Sequence, residues 1–215
     1  MKSLIIEKLL SLVQKRNSKM HIAAFQPVSL NEYPGQISAI VFTQGCDFRC
    51  SYCHNKELQP LLRQSDREYG ELLQEDSILE DLLSLKNKVT AVTITGGEPL
   101  LWSDIGIFIG KVKSMGFLIK LNTNGSNFYR MKQLIEDGLI DYINLDIKGP
   151  PEKYKSIAGD NIDIDGVIKS VEYLKSSDVD HIFTTVWDED LLTDNDRKYI
   201  MKWVGNSQYL TREKI

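Results

Sequence analysis

Cysteine is scarce in this chain of 215 residues: there are three, Cys46, Cys50 and Cys53, all within eight positions. A secreted protein held by disulfides carries an even number of cysteines spread along its length, so that class is set aside. Clustered thiols point instead to a reducing, cytoplasmic setting and a metal site. Long apolar runs are also missing: no stretch approaches the roughly 18 apolar residues that a membrane-spanning helix needs. The opening segment MKSLIIEKLLSLVQKR has Glu7 and Lys8 inside its apolar part and no small-residue cleavage site behind it, which argues against a secretion signal. Its Leu4, Ile5, Leu9, Leu12 and Val13 fall on one side of a helix, so residues 1–20 read as an amphipathic extension ahead of a domain over 21–215. A surplus of one charge is missing too. With 26 basic against 30 acidic side chains the net charge is −4, which offers no footprint for a nucleic acid.

What is present is a chain 42% hydrophobic, enough for a sizeable core. From residue 37 onward strand-like and helix-like segments alternate. Strands are expected at 37–42, 89–95, 117–122, 141–148 and 181–187, with a last short one near 208–213. Helices are expected over 68–85, from a cap at Ser103 or Asp104 to Met115, over 127–137 with closure near Gly138, over 165–176, and from a Thr193 cap to Val204. This spacing implies parallel strands joined by crossover helices. The expected fold class is α/β, a partial (β/α) barrel of about six units rather than the eight of a full barrel. A flat doubly wound sheet is the alternative. Both place chemistry at the C-terminal ends of the strands, and four motifs fall there.

The first is Gly45-Cys46-Asp47-Phe48-Arg49-Cys50-Ser51-Tyr52-Cys53-His54-Asn55. A compact C-x3-C-x2-C loop can wrap three irons of one cubane and leave the fourth without a protein ligand. An open position admits a small molecule, as it does in catalytic zinc sites. A Cys3His zinc site using His54 is one alternative, although His54 is adjacent to Cys53 and poorly placed to reach the same ion; three unconnected buried thiols are another. The second motif is Thr95-Gly96-Gly97-Glu98-Pro99. Its glycines let backbone approach a ligand closely, and Glu98 could accept from a ligand ammonium; an ordinary turn is the plain alternative. The third, Asn122-Thr123-Asn124-Gly125, has turn chemistry of its own. In the fourth, Asp146 and Lys148 stand two apart on a strand and face the same way. Such charges among apolar residues are costly unless paired or liganded, and a simple rim ion pair is the alternative.

The cysteine loop resembles the signature of the radical S-adenosylmethionine (SAM) superfamily, C-x3-C-x-aromatic-C, with Tyr52 as the aromatic residue. The resemblance implies one [4Fe–4S] cluster on Cys46, Cys50 and Cys53, with SAM chelating the fourth iron. It implies reductive cleavage of SAM to methionine and a 5′-deoxyadenosyl radical, so that cluster and SAM carry the chemistry and no side chain acts as acid or base. It puts Tyr52 and His54 near the adenine, and Gly96, Gly97 and Glu98 at the methionine amino group. Asn124, Asp146 and Lys148 match SAM-binding positions of glycyl-radical-enzyme activases. Some activases also place a monovalent cation beside this Asp, with an Asp ligand where this chain has Asn122.

Residues 24–30, 33–35, 41–46, 52–55 and 146–154 are similar to activating proteins of anaerobic ribonucleoside-triphosphate reductases. This implies a protein partner that loses hydrogen from one glycine, and a low-potential electron donor such as flavodoxin or ferredoxin. Competing readings are an activase of pyruvate formate-lyase or another glycyl radical enzyme, a small-molecule radical SAM enzyme, and a non-catalytic metal-binding protein. Two departures stand out. Phe183 occupies a position, ahead of Thr184-Thr185-Val186, where relatives often have Arg, and the short tail after Trp203 is expected to leave an open lateral mouth. No second cysteine cluster is present for an auxiliary iron–sulfur centre.

Overall fold

The computed structural model describes residues 20–61, 72–160 and 162–213. Seven strands form one sheet: β1 (Ile22–Tyr33), β2 (Gln36–Thr43), β3 (Ala91–Gly96), β4 (Leu118–Thr123), β5 (Tyr142–Asp146), β6 (Asp180–Trp187) and β7 (Tyr209–Glu213). Their order in space is their order in sequence. β1 runs antiparallel to β2, and every pair from β2 to β7 is parallel. The helices between them are α1 (Glu75–Leu85), α2 (Ile105–Ser114), α3 (Phe128–Glu136), the short α4 (Tyr154–Ala158) with α5 (Ile164–Lys175), and α6 (Asp194–Val204). A doubly wound sheet needs a point where strand order reverses, and the described strands have none. With right-handed crossovers, sequential order puts all helices on one face, so the partial barrel of six parallel strands is the fold and the flat alternative falls. β1 and β7 do not pair, so the barrel is open between them.

The two faces of the sheet divide the chemistry. Alternate residues Val92 and Ile94, Ile119 and Leu121, Ile143 and Leu145, with Phe183, are fully buried against the helices. There they meet Ile78 and Leu82 of α1, Phe108 and Val112 of α2, Met131 of α3, Val171 and Leu174 of α5, and Ile200 of α6. The residues between them are polar and turn to the concave face. Asn122 donates to Thr95 Oγ1 at 3.3 Å, and Thr184 donates to Asn144 Oδ1 at 2.9 Å. Lys120, only 4% exposed, donates from below to the Glu32 carbonyl. A barrel filled by apolar side chains would have no room for a ligand; this one keeps a hydrophilic lumen.

Local signals explain most element ends. The α3 C-terminus is a Schellman motif: Gly138, at φ +67°, donates to Ile135 O at 2.9 Å, and Leu139 donates to Leu134 O at 3.0 Å. Thr193 and Asp196 form a reciprocal capping box on α6. Asp104 stands at the start of α2 but does not cap it; its Oδ2 accepts from Met20 N at 3.0 Å instead. The helix expected over 68–85 begins only at Glu75, because Leu73 forms a bridge with Ile22. Its expected first residues, 68–71, and the amphipathic segment 1–19 lie outside the described residues.

β1 was not expected as a strand. Half of its residues are exposed, it contains Pro27 and it carries register shifts against β2, all marks of an edge strand without clean alternation. Pro34 and Gly35, at φ +72°, turn it into β2. No helix among the described residues is long and apolar enough to cross a membrane.

Candidate functional site

A cavity of about 260 Å³ opens at the C-terminal ends of the parallel strands. All eleven sequence-derived candidates line it: Cys46, Cys50, Tyr52, Cys53, His54, Gly96, Gly97, Glu98, Asn124, Asp146 and Lys148. Four strand ends, from Thr43 to Asp146, therefore build one site. Phe183 is fully buried in the core and takes no part.

The cysteine loop is pinned along its length. Gly45 N donates to Leu58 O at 2.8 Å and Cys46 N to Gln59 O at 3.1 Å. Gln44, buried before it, donates to the Glu57 and Pro60 carbonyls. On the far side Arg49 N donates to Ala158 O at 2.6 Å, and the Phe48 ring meets Tyr154 edge-on at 6.2 Å. The α4 segment thus acts as a rear wall for the loop. Burial, then the nearby charges of Glu98 and Asp47, push the Cys46 thiol up; burial does the same to Cys50, against Lys148. Metal binding needs the thiolate form, so a bound metal would work against this burial and release the thiol protons. Among the described residues no three His, Cys, Asp or Glu side chains converge on the single point that one ion would need. A cubane asks for a different layout, one thiolate per iron.

The two glycines of the second motif line the cavity and also serve the fold. A Cβ on Gly96 would stand 2.4 Å from Thr43 N and O, and one on Gly97 would stand 2.0 Å from Gly45 O. They lie closely against the backbone entering the cysteine loop. Gly97 N donates to Thr43 O at 2.9 Å and Glu98 N to Gly45 O at 2.8 Å. Glu98 is 1% exposed. Its Oε1 accepts from Leu100 N at 2.9 Å and Thr123 Oγ1 at 2.7 Å, and its Oε2 from Asn124 N at 2.7 Å. Burial and then Asp47 push its pKa up to about 7 against those three donors. A cationic partner in the cavity would return it to the ionised state.

Asn124 is engaged as well: its Nδ2 donates to Asp47 Oδ1 at 2.8 Å, and its Oδ1 accepts from Ser126 N at 2.9 Å. At the fourth motif the ion pair named as the plain alternative is formed. Lys148 Nζ lies 2.5 Å from Asp146 Oδ2 and 5.9 Å over the Tyr52 ring. Burial opposes charge on Lys148, but Asp146 outweighs it and holds the ammonium well above its usual range. The pair does not use everything. Asp146 Oδ1, Tyr52 Oη and Asn122 Oδ1 are buried at the cavity without a partner among the described residues. Buried polar groups are normally hydrogen-bonded, so three orphans around one cavity mark a place for a polar ligand.

Residues that sequence reasoning passed over also line the cavity: Phe48, Thr184 and Arg212. Arg212 comes from β7 and brings a guanidinium to the wall where Phe183 brings none. A short terminal strand with one cation, Tyr209–Glu213, carries too little pattern to show which way that cation faces.

Fold and site together define a partial-barrel protein with a three-cysteine loop at the mouth of a polar lumen. The profile of the Radical SAM superfamily matches residues 40–204, and the chain belongs to that superfamily. Its members use a [4Fe–4S] cluster and SAM, and the thiols, the cavity and its orphaned polar atoms fit both. A Methanocaldococcus jannaschii protein named "Putative glycyl-radical enzyme activating enzyme" is 33% identical over 138 residues, 64% of this chain and 54% of that protein. A Methanococcus maripaludis protein named "Probable GTP 3',8-cyclase" is 33% identical over 136 residues, 60% of this chain and 43% of that protein. The chain thus spans about half the length of the curated relatives it matches. Streptococcus suis SuiB, solved bound to S-adenosylmethionine, shares the fold with a TM-score of 0.61 at 15% identity, over 80% of this chain and 39% of its own.

Proposed function

We propose that this protein is a radical SAM activase that abstracts hydrogen from a glycine of a partner protein, the favoured partner being an anaerobic ribonucleoside-triphosphate reductase. The observation that carries the radical SAM chemistry is the gathering of the three cysteines, Gly96-Gly97-Glu98, Asn124 and the Asp146–Lys148 pair around one cavity. When bound, the cluster and SAM supply a 5′-deoxyadenosyl radical. This chain's residues bind and orient them. Cys46, Cys50 and Cys53 would hold three of the irons. Glu98 and the Gly96-Gly97 backbone would receive the SAM ammonium, Asp146 Oδ1 and Lys148 would offer an acceptor and a cation to its polar groups, and Tyr52 with His54 would flank the adenine.

The choice of a protein substrate is supported by the relatives named for glycyl-radical-enzyme activation, by the resemblance along 24–55 and 146–154, and by the gap between β1 and β7, through which a loop can enter. A flavodoxin or ferredoxin is the proposed electron donor. A small-molecule reading is favoured by a different observation: relatives of equal identity are named for a GTP cyclase, and Arg212 with Lys148 gives the cavity cationic walls suited to an anion.

The test is anaerobic reconstitution with SAM and a strong reductant, with and without candidate glycyl enzymes. Formation of 5′-deoxyadenosine together with a glycyl-radical signal in electron paramagnetic resonance is expected. A loaded cluster that yields no 5′-deoxyadenosine rejects the enzyme reading in favour of a metal-binding protein. Product without a glycyl radical on any candidate partner rejects the activase in favour of a small-molecule enzyme.

A further inference from the structure

Asp47 follows the first cysteine directly, yet its side chain bonds far along the chain. Its Oδ1 accepts from Asn124 Nδ2 at 2.8 Å and its Oδ2 from Ser126 Oγ at 2.6 Å, across 77 and 79 positions of sequence. Both donors are buried, at 7% and 6% exposure. Asn124 N in turn donates to Glu98 Oε2 at 2.7 Å. The carboxylate therefore ties the cysteine loop to the β4–α3 loop, which itself holds Glu98. It also stands beside sulfur: Cys46 Sγ lies 3.9 Å from Asp47 Oδ1, while Phe48 N donates to the same sulfur at 3.4 Å.

We propose that Asp47 is a positioning residue that holds Cys46 in register with the Glu98–Asn124 wall, and that its negative charge lowers the reduction potential of the cluster. This rests on the radical SAM reading of the three cysteines. Two general facts give it force. Cluster potentials follow nearby charge and the hydrogen bonds to the ligand sulfurs. Groups that hold metal ligands from behind set the ligands' orientation, and losing one typically costs 10–100-fold in affinity or activity. Reduction adds one electron to the cluster, with no bond made or broken. A fixed anion beside a ligand sulfur disfavours that electron, and the Phe48 amide acts in the opposite sense. A low potential is what a cluster that must pass its electron to SAM requires.

The experiment compares full-length wild type, Asp47→Asn and Asp47→Ala after anaerobic reconstitution. It reads iron content, the cluster midpoint in a dithionite titration followed by electron paramagnetic resonance, and the SAM dissociation constant. Asn keeps an acceptor for Asn124 and an amide that can donate to Ser126 Oγ, but it has no charge. Asp47→Asn is expected to bind SAM within about twofold of wild type while its reduced-to-oxidised ratio at fixed potential rises about tenfold, or 59 mV for a one-electron couple. Asp47→Ala is expected to show the same shift and to lose about tenfold in SAM affinity.

An unchanged midpoint in Asp47→Asn overturns the electrostatic role. Wild-type SAM affinity in Asp47→Ala overturns the positioning role. If Asp47→Ala fails to fold, as circular dichroism reports, the positioning role is read from Ser126→Ala, which removes the Oγ donor to Asp47 from a residue outside the cavity lining and is expected to weaken SAM binding with the midpoint unmoved. Wild type that loads no SAM-cleaving cluster overturns the proposed function and this inference with it. Wild type that does, with variants indistinguishable from it, overturns this inference alone.

Discussion

Replacing Gly97 with alanine separates two accounts of the Gly96-Gly97 pair. If the pair served only the approach of a ligand, the apoprotein would fold with unchanged stability and lose SAM binding alone. The structure says otherwise. The new methyl carbon would lie 2.0 Å from Gly45 O, 2.6 Å from Gly45 C and 2.9 Å from Leu58 O, all backbone atoms that no rotamer change can remove. Relief requires the end of β3 to part from the cysteine loop. That breaks the bonds from Gly97 N to Thr43 O and from Glu98 N to Gly45 O, each worth about 1 kcal/mol net. Overpacking of a close contact adds about 1–3 kcal/mol. Gly97→Ala should therefore destabilise the apoprotein by about 3–5 kcal/mol, a large share of the roughly 5–15 kcal/mol a domain has. The assay is guanidinium unfolding of reduced apoprotein followed by far-ultraviolet circular dichroism. Gly110→Ala in α2 is the control: nothing lies within 4 Å of its added carbon, and in a helix interior alanine should stabilise by up to about 1 kcal/mol. A Gly97→Ala apoprotein as stable as wild type, with only SAM binding lost, would refute the reasoning.

Glu98 makes stability depend on pH. Its folded pKa of about 7 lies above the 4.5 of an exposed carboxyl, so its contribution is complete below 4.5 and lost as pH rises through 7. At 1.36 kcal/mol per unit this is about 3 kcal/mol, and wild-type apoprotein should gain stability from this group between pH 7 and 5. Glu98→Gln should flatten that slope, and equal slopes in the two proteins would contradict the assignment. Cys50→Ala should leave the reconstituted protein without a four-iron cluster, which iron and sulfide analysis checks; a fully loaded variant that cleaves SAM would remove Cys50 from the ligand set. Thr193→Ala should cost about 1 kcal/mol through loss of its cap on α6, measured as a lowered denaturant midpoint. An unshifted midpoint would mean that Asp196, also held by Lys153 at 2.7 Å, caps the helix without Thr193.

Much of this architecture was legible in the linear chain because it is written locally. Strand–helix alternation follows from residues a few positions apart, and so do the Schellman turn at Gly138 and the box at Thr193. β1 was not legible: an edge strand with Pro27 and shifted register has no clean period of two. The α1 start was misplaced because Leu72 and Leu73 continue a helical pattern, whereas Leu73 N donates to Ile22 O across 51 positions.

The candidate site divides along the same line. The C-x3-C-x2-C spacing, the glycine pair and the Asp146–Lys148 offset are covalent facts about neighbouring residues, and by themselves they delimit the chemistry. The cluster loop was legible because such a loop needs its thiols within a few residues of one another. What each group touches was decided only by tertiary structure. Gly97 packs on the Gly45 backbone at the cavity wall, Asn124 donates to Asp47, Phe183 is buried in the core, and Arg212 lines the lumen. Those contacts join residues tens of positions apart. Their partners are chosen by how six parallel strands pack, and no local pattern in the chain encodes that choice.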